Sequence, residues 1–142
     1  METIHGTVVD IDGAGVLLRG PPGSGKSDLA LRLIDRGAAL VADDRVVLAV
    51  DHGGLAASAP GRGAGKLEIR GLGIVRVPYL ARAALHLVVD LVEPGRIERL
   101  PKAAETVLLG VALPVLNLAP FEASAPAKVR LALRLAPQEI ER

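Results

Sequence analysis

A glycine-rich stretch that ends in lysine and serine is the part of the sequence best suited to bind phosphate. It reads G-x-x-x-x-G-K-S and consists of Gly20, Pro21, Pro22, Gly23, Ser24, Gly25, Lys26 and Ser27. Glycines leave backbone N–H groups free to converge on phosphate oxygens, and a helix N-terminus adds a favourable dipole. Lys26 is then expected to reach the outer phosphates of a nucleotide, and the Ser27 hydroxyl to bind Mg²⁺. A turn rich in glycine and proline would not require lysine and serine at these two positions.

The segments on both sides of this loop have the patterns of a strand and a helix. The apolar run 16–18 precedes the loop, and residues 29–34 follow it with apolar side chains on one side. Gly37 is placed to end the helix, and the wholly apolar residues 38–42 then predict a strand buried on both faces. The loop therefore has the preceding strand and the following helix that a phosphate-binding loop requires.

Two carboxylates follow the second of these strands directly. Asp43 and Asp44 come at its carboxyl end, where a strand that follows a phosphate loop and helix meets the bound phosphates. Either residue could contact Mg²⁺ or accept the proton of an attacking hydroxyl. Asp-Asp is also common in turns, so the same pair is compatible with a turn that has no chemical role.

The stretch from position 67 to position 74 begins with alternating apolar and charged residues, which give it one charged face. It places Glu68 and Arg70 on one face and Leu67 and Ile69 on the other, and the two glycines that follow permit a sharp change of direction. One charged face could form one site. A half-buried strand with a salt bridge of no catalytic role would show the same alternation.

The rest of the chain predicts further strands, loops and a C-terminal helix. Hairpins are expected at 4–10 with 14–19 and at 45–50 with 55–58, a mobile glycine-rich loop or linker at 60–66, strands at 84–91 and 111–118, and a helix from Ser124 up to Pro137. Pro114 favours a sheet edge for the last strand.

Composition excludes several classes of function. The chain has 142 residues, a formal net charge of +1, no cysteine and no tryptophan, with one Phe and one Tyr. The scattered charges and the scarcity of aromatic residues argue against nucleic-acid binding, and the absence of cysteine excludes disulfides and thiolate chemistry. No apolar stretch is long enough to span a membrane, and no secretory signal is visible. We therefore expect a single-domain cytoplasmic protein.

Four motifs in order along the chain resemble those of the bacterial HPr kinase/phosphorylase family. They are His5-Gly6, the loop 20–27, the segment 42–46 and the stretch 67–74, the last of which is similar to the family's signature. The resemblance covers almost the whole chain and corresponds to the family's C-terminal catalytic domain. Residues 1–142 are therefore expected to form one such domain without the N-terminal domain that many members carry, as in the shortened proteobacterial form.

The resemblance implies an activity, a fold and partners. The expected activity is transfer of phosphate from ATP, with Mg²⁺, to a serine of HPr, the phosphocarrier protein of the sugar phosphotransferase system. Many members also reverse this modification by phosphorolysis. The implied fold is a P-loop α/β architecture similar to phosphoenolpyruvate carboxykinase, and the implied assembly is a homo-hexamer. A small-metabolite kinase and an ATP-sensing module without turnover are the alternatives.

The resemblance also assigns roles to individual residues. Lys26 would bind the phosphates, and Ser27 and Glu68 would hold Mg²⁺. Asp43 would be the base that accepts the serine proton and the acid that returns it during phosphorolysis.

Two further residues receive roles in the same way. His5 would be the neighbour of Asp43 in the active site. Arg99 would stabilise the phosphoryl group during transfer.

Overall fold

Two sheets that share one long strand form the framework of the protein. The computed structural model describes residues 1–61 and 63–142. The strands are β1 (Glu2–His5), β2 (Thr7–Ile11), β3 (Ala14–Arg19), β4 (Ala39–Ala42), β5 (Arg45–Asp51), β6 (Gly54–Ser58), β7 (Lys66–Ile69), β8 (Gly73–Arg76), β9 (Arg82–Leu91), β10 (Ala104–Leu108) and β11 (Val111–Leu118); the α-helices are α1 (Lys26–Asp35) and α2 (Ala125–Arg134), and short 3-10 helices cover Pro94–Arg96 and Pro137–Glu139. The mixed α/β class predicted from the sequence is confirmed.

The shared strand is β9. Its first residues pair antiparallel with β6, which continues through β5 to β1. Its later residues lie between β3 and β11, parallel to both, and β3 continues through β2 to β4. The carboxyl ends of the three parallel strands therefore meet at one edge, where the phosphate loop leaves β3.

The core has two layers, one on each face of the central strands. Val9, Val16 and Leu18 lie in a cluster with the buried side chains of α1 and α2. Val8 and Leu17, one residue away, lie in a second cluster with the side chains of β5 and β6. Because neighbouring strand residues point to opposite faces, these fully apolar runs can fill both layers at once.

The chain changes sheets at Gly6, which corrects the prediction of one continuous strand over 4–10. Residues before Gly6 pair with β5, and residues after it pair with β3 and β4. A Cβ at position 6 would lie 2.8 Å from Leu17 Cδ1 and 3.1 Å from Leu18 O. Glycine is needed because the backbone crosses the neighbouring strand at very short range.

Most of the other predicted elements are confirmed. The two hairpins are β2–β3 and β5–β6. Helix α1 ends before Gly37, which has a positive φ of 102°, and α2 starts after Ser124, although the Ser124 side chain makes no capping hydrogen bond. Of the predicted glycine-rich loop at 60–66, Arg62 lies outside the described residues and Lys66 already belongs to β7.

Strand β10 was not predicted, and it changes the interpretation of Pro114. β10 pairs with the first half of β11, so β11 is not an edge strand along its whole length. Pro114 lies opposite Glu105, and pairing of β11 with β9 begins only at the next residue, Val115. At Pro114, β11 therefore pairs with β10 on one side and, among the described residues, with no strand on the other.

Candidate functional site

Most of the residues that the sequence predicts to bind phosphate or metal or to take part in catalysis line one cleft. It has a volume of about 870 Å³. Its lining residues come from the phosphate loop and α1, from the start of β2, from the turn after β4, from the β7–β8 hairpin and from the segment after β11; they are Thr7, Pro22, Gly23, Gly25, Lys26, Ser27, Asp28, Leu31, Asp43, Asp44, Glu68, Ile69, Arg70, Gly71, Leu72, Gly73 and Phe121. Five separated segments of the chain therefore meet at one polar cavity.

The phosphate loop connects the end of β3 to the start of α1, as its pattern predicted. Gly25 is the N-cap of α1, with φ 102°, and Lys26 is the first helical residue. Lys26 Nζ donates hydrogen bonds to Gly20 O at 2.6 Å and to Pro21 O at 3.1 Å. The ammonium group is thus held by the carbonyls of its own loop, beside the helix N-terminus where an anion is favoured.

Ser24 makes a backbone hydrogen bond within the loop, and its hydroxyl group is buried there. Its N–H donates to Pro21 O at 3.0 Å, which closes a turn at the tip. Its hydroxyl oxygen is buried and has no hydrogen-bond partner among the described residues. Among the remaining loop residues, Pro22 and Gly23 line the cleft.

Asp43 is the best-positioned carboxylate of the cleft. Thr7 Oγ1 and Ser27 Oγ each donate to Asp43 Oδ1 at 3.0 Å. Neither bond uses the other carboxylate oxygen, Oδ2. Thr7 is fully buried, whereas Asp43 is partly exposed to the cleft. The carboxylate is therefore fixed on one oxygen and available on the other.

The Asp43-Asp44 segment is a tight turn as well as part of the cleft. Asp44 has a positive φ of 69°, and its carbonyl accepts a hydrogen bond from Gly6 N at 3.1 Å. Arg45 N donates to Asp43 O at 2.8 Å. The sequence left open whether Asp43-Asp44 is a turn or part of a site, and the structure is compatible with both: the turn at the end of β4 directs Asp43 into the cleft.

The charged face predicted for residues 67–70 also lies in the cleft. Glu68 and Arg70 are exposed and line it, while Leu67 is fully buried in the core against the helices. Within the described chain, neither Glu68 nor Arg70 forms a salt bridge. The alternative of a salt bridge between them is therefore not supported.

An ion pair ties β3 to β9 directly before the phosphate loop. Arg19 Nε lies 2.7 Å from Asp90 Oδ1, and Arg19 Nη2 lies 2.9 Å from Asp90 Oδ2. The two residues are register partners across the parallel ladder. This two-point contact holds the end of the strand from which Gly20 and the loop begin.

Five predicted site residues are not among those that line the cleft. Three belong to the phosphate loop itself, namely Gly20, Pro21 and Ser24, and the other two are His5 and Arg99. His5 is exposed at the end of β1 and pairs with Arg45, beside the Asp43-Asp44 turn. Arg99 is exposed and lines a second, more apolar cavity of about 340 Å³ against α2. The structure thus brings Lys26, Ser27, Asp43 and Glu68 to one cleft, but not Arg99.

Sequence reasoning assigned no role in the site to two cleft residues that matter below, Thr7 and Phe121. Thr7 has no sequence signal, because a threonine at the start of a strand is an ordinary β-branched residue. Phe121 has a weak one, since it is the only phenylalanine of the chain and follows Pro120 directly after a predicted strand.

The model of the family described as HPr Serine kinase C-terminal domain matches residues 1–123. The chain belongs to this family. It is 51% identical over 77 residues to an HPr kinase/phosphorylase of Clostridium tetani, covering 54% of this chain and 25% of that protein. With an HPr kinase/phosphorylase of Brevibacillus brevis it shares 40% identity over 128 residues, which covers 82% of this chain and 41% of the relative.

A solved structure has a similar fold over nearly the same length. It is the Hpr(Ser) kinase/phosphatase from Coxiella burnetii, with a TM-score of 0.84 and 30% sequence identity, covering 94% of this chain and 95% of that one. By contrast, the chain spans between 25% and 41% of the length of the two curated relatives named above. In the described residues, no helix has the length and apolar character needed to cross a membrane.

Proposed function

We propose that this protein transfers the terminal phosphoryl group of ATP to a serine hydroxyl of the phosphocarrier protein HPr. The observation that carries the proposal is the meeting of Lys26, Ser27, Asp43 and Glu68 at one cleft, with Asp43 fixed by two hydroxyl groups. The family and the names of the relatives support HPr as the substrate. The same support favours a P-loop fold similar to phosphoenolpyruvate carboxykinase, a cytoplasmic location and a homo-hexamer, with residues 1–142 as one catalytic domain.

Binding of the nucleotide uses the loop and Lys26. Backbone N–H groups of the loop and of the first turn of α1 donate to the phosphate oxygens. Lys26 exchanges the carbonyls of Gly20 and Pro21 for phosphate oxygens, which are stronger acceptors for an ammonium group because they are charged. The binding site is thus nearly complete before ATP arrives.

The residues around the phosphates fit a magnesium ion. Mg²⁺ prefers oxygen ligands, keeps several waters and is bound by one or two carboxylates together with substrate phosphates. The Ser27 hydroxyl and the Glu68 carboxylate line the same cleft, whereas no group of three His, Asp or Glu side chains is clustered as a metal site in the described residues. We therefore infer that Ser27 and Glu68 would hold a Mg²⁺ ion bound together with ATP, and that this ion would neutralise the charge that develops on the phosphates.

Asp43 is the proposed base. Its Oδ1 is held by Thr7 and Ser27, which leaves Oδ2 to accept the proton of the serine hydroxyl as that oxygen attacks phosphorus. ADP leaves, and the proton stays on Asp43 until it is released. In phosphorolysis an oxygen of inorganic phosphate attacks the phosphorus of phosphoserine, and the bond from that phosphorus to the serine oxygen breaks. Asp43, in its protonated form, gives its proton to the serine oxygen, and pyrophosphate is released as the product.

For His5 and Arg99, the family resemblance is the support. His5 is next to Gly6, whose N–H holds the Asp43-Asp44 turn, so a role beside Asp43 is compatible with its position. Arg99 would need to act on the phosphoryl group from outside the set of residues that line the cleft.

The test is mass spectrometry of HPr from the same organism after incubation with the protein, ATP and Mg²⁺. We expect one added phosphate on a serine, and a rate roughly 100- to 10,000-fold lower for Asp43→Asn. Asp12→Asn is the control, because Asp12 is exposed in a turn outside the cleft and Asn tolerates its positive φ. Adding inorganic phosphate to the product tests phosphorolysis.

Three outcomes would contradict the proposal. ATP turnover with a small hydroxyl compound, while HPr stays unmodified, indicates a metabolite kinase. ATP binding without turnover indicates a sensor. Full activity of Asp43→Asn excludes Asp43 as the base.

A further inference from the structure

Phe121 is the largest apolar side chain of the cleft, and most of its ring is exposed. Its exposed fraction is 69%, and it lines the cleft beside the phosphate loop. It is the only phenylalanine in a chain that has one tyrosine and no tryptophan. A flat apolar ligand that covers this ring would gain the free energy of burying it.

The ring lies against the phosphate loop itself. A Cβ at Gly25 would be 2.9 Å from Phe121 Cζ and 3.1 Å from Phe121 Cε1. Gly25 is the N-cap of α1 and directly precedes Lys26. The glycine therefore serves two purposes, since its φ of 102° is unfavourable for other residues and its missing side chain leaves room for the ring.

The backbone around Phe121 is held by contacts that do not involve the ring. Arg32 of α1 donates to Pro120 O and, at 3.3 Å, to Glu122 O. Glu122 also pairs with Lys128 Nζ at 2.9 Å. One residue on each side of Phe121 is thus attached to a helix. The ring is held in place at the cleft without being packed into the core.

We propose that Phe121 is a stacking platform for the base of the bound nucleotide. This inference rests on the nucleotide binding proposed above and adds where the base lies. Phosphates bound at residues 20–27 place the attached nucleoside beside the loop, and the face of an aromatic ring is what a base can stack on. A cavity of about 870 Å³ has room for a whole nucleotide. A single ring can stack one base. The scarcity of other aromatic residues still argues against binding of a nucleic-acid strand.

The test compares ATP with inorganic tripolyphosphate, which offers the phosphates without a base. Calorimetry with Mg²⁺ is expected to show that wild type binds ATP more tightly than tripolyphosphate. Phe121→Ala should weaken ATP binding roughly 5- to 150-fold and leave tripolyphosphate binding unchanged. Phe121→Tyr should retain most of the ATP affinity, and Phe121→Leu should lose it, because leucine is apolar but offers no aromatic face.

Because the chain has no tryptophan, Phe121→Trp also places a single fluorophore at the proposed platform. Its emission should change on addition of ATP but not of tripolyphosphate. Val107→Trp is the matched control, since Val107 is 64% exposed on β10 and outside the cleft, and its emission should respond to neither.

The outcomes separate this inference from the proposed function. If wild type binds neither ligand, the nucleotide-binding function itself is wrong. If Phe121→Ala binds ATP and tripolyphosphate as wild type does, nucleotide binding stands and the stacking role is overturned. Unchanged ATP affinity together with a raised KM for HPr would overturn it too, because the ring would then contact the protein substrate. Circular dichroism of each variant verifies that the fold is retained.

Discussion

The phosphate loop and Asp43 are attached at several points to the sheet that contains β2, β3, β4 and β9. The β7–β8 hairpin of the same cleft is instead a two-stranded sheet of its own. We call residues 20–27 with Asp43 the anchored part and residues 66–76 the hairpin part. The anchored part is held by the Arg19–Asp90 ion pair, by Thr7 and by the packing of α1. The hairpin part contributes Leu67 to the core and leaves its tip exposed.

This difference assigns separate tasks to the two parts. Phosphoryl transfer requires groups that are fixed relative to the phosphates. Of the cleft residues proposed to act there, Lys26, Ser27 and Asp43 lie on the anchored part, and the proposed metal ligand Glu68 lies on the hairpin part. Glu68, Arg70 and the exposed Leu72 lie on an element with fewer attachments, from which we expect local opening at a lower free energy. The hairpin part can therefore open, and Glu68 with it, while the loop and Asp43 stay in place.

A large effect, second to that of Asp43→Asn, is expected for Lys26→Met in the anchored part. Among the described residues, the Lys26 ammonium group donates hydrogen bonds to loop carbonyls alone, so its loss should leave the melting temperature nearly unchanged. The kcat/KM for HPr phosphorylation should fall about 100- to 1,000-fold, because a charge that stabilises the transferring phosphoryl group is removed. Lys102→Met, on an exposed loop outside the cleft, is the control. A drop below 10-fold would mean that Lys26 is not a phosphate ligand.

Leu67→Ala tests whether the hairpin part opens independently of the anchored part. Leu67 is fully buried against the helix-side core, and its truncation should lower the free energy of opening the hairpin by about 2–5 kcal/mol. Hydrogen exchange should then speed up at amides of β7 and β8, with little change in α1 and β4. Equal acceleration in all four elements would show that the hairpin does not open as a unit.

The metal assignment predicts an intermediate effect for Glu68→Gln. Removing one carboxylate should raise the Mg²⁺ concentration for half-maximal activity about 10-fold or more, while kcat at saturating Mg²⁺ changes less. Glu105→Gln is the matched control, because Glu105 is exposed on β10 away from the cleft. If the two variants have the same Mg²⁺ requirement as wild type, Glu68 is not a metal ligand.

The sequence predicted the parts of the site that depend on local pattern. The loop 20–27, the carboxylates after β4 and the charged face at Glu68 each follow from residue type and spacing within one short segment. The carboxylates, Glu68 and most of the loop line the cleft. Thr7 and Phe121 could not be predicted in this way, because each reaches the cleft only through tertiary pairing. Phe121 depends on the register of β11 with β9, and Thr7 on the crossing at Gly6.

The same limit explains the errors in the fold. Residues 104–108 alternate too little in polarity to predict β10, which is mostly exposed and forms by pairing with β11. The run from 4 to 10 is uniformly strand-like, so the change of sheet at Gly6 is visible only when the close approach of Leu17 is known. In both cases long-range contacts decided the structure and local preference did not.

The smallest predicted effect concerns Thr7, which positions Asp43 without touching the substrate. Thr7→Val keeps the buried shape but removes one of the two hydrogen bonds to Asp43 Oδ1, and Ser27 retains the other. We expect kcat to fall about 10-fold because the base is less well oriented, with the ATP dissociation constant within about twofold of wild type. Thr7→Ser, which restores the hydroxyl, should recover most of the rate, and Thr3→Val on exposed β1 should have no effect. A loss that Ser does not rescue would assign Thr7 to packing, and an unchanged kcat in Thr7→Val would show that Ser27 alone is sufficient to hold Asp43.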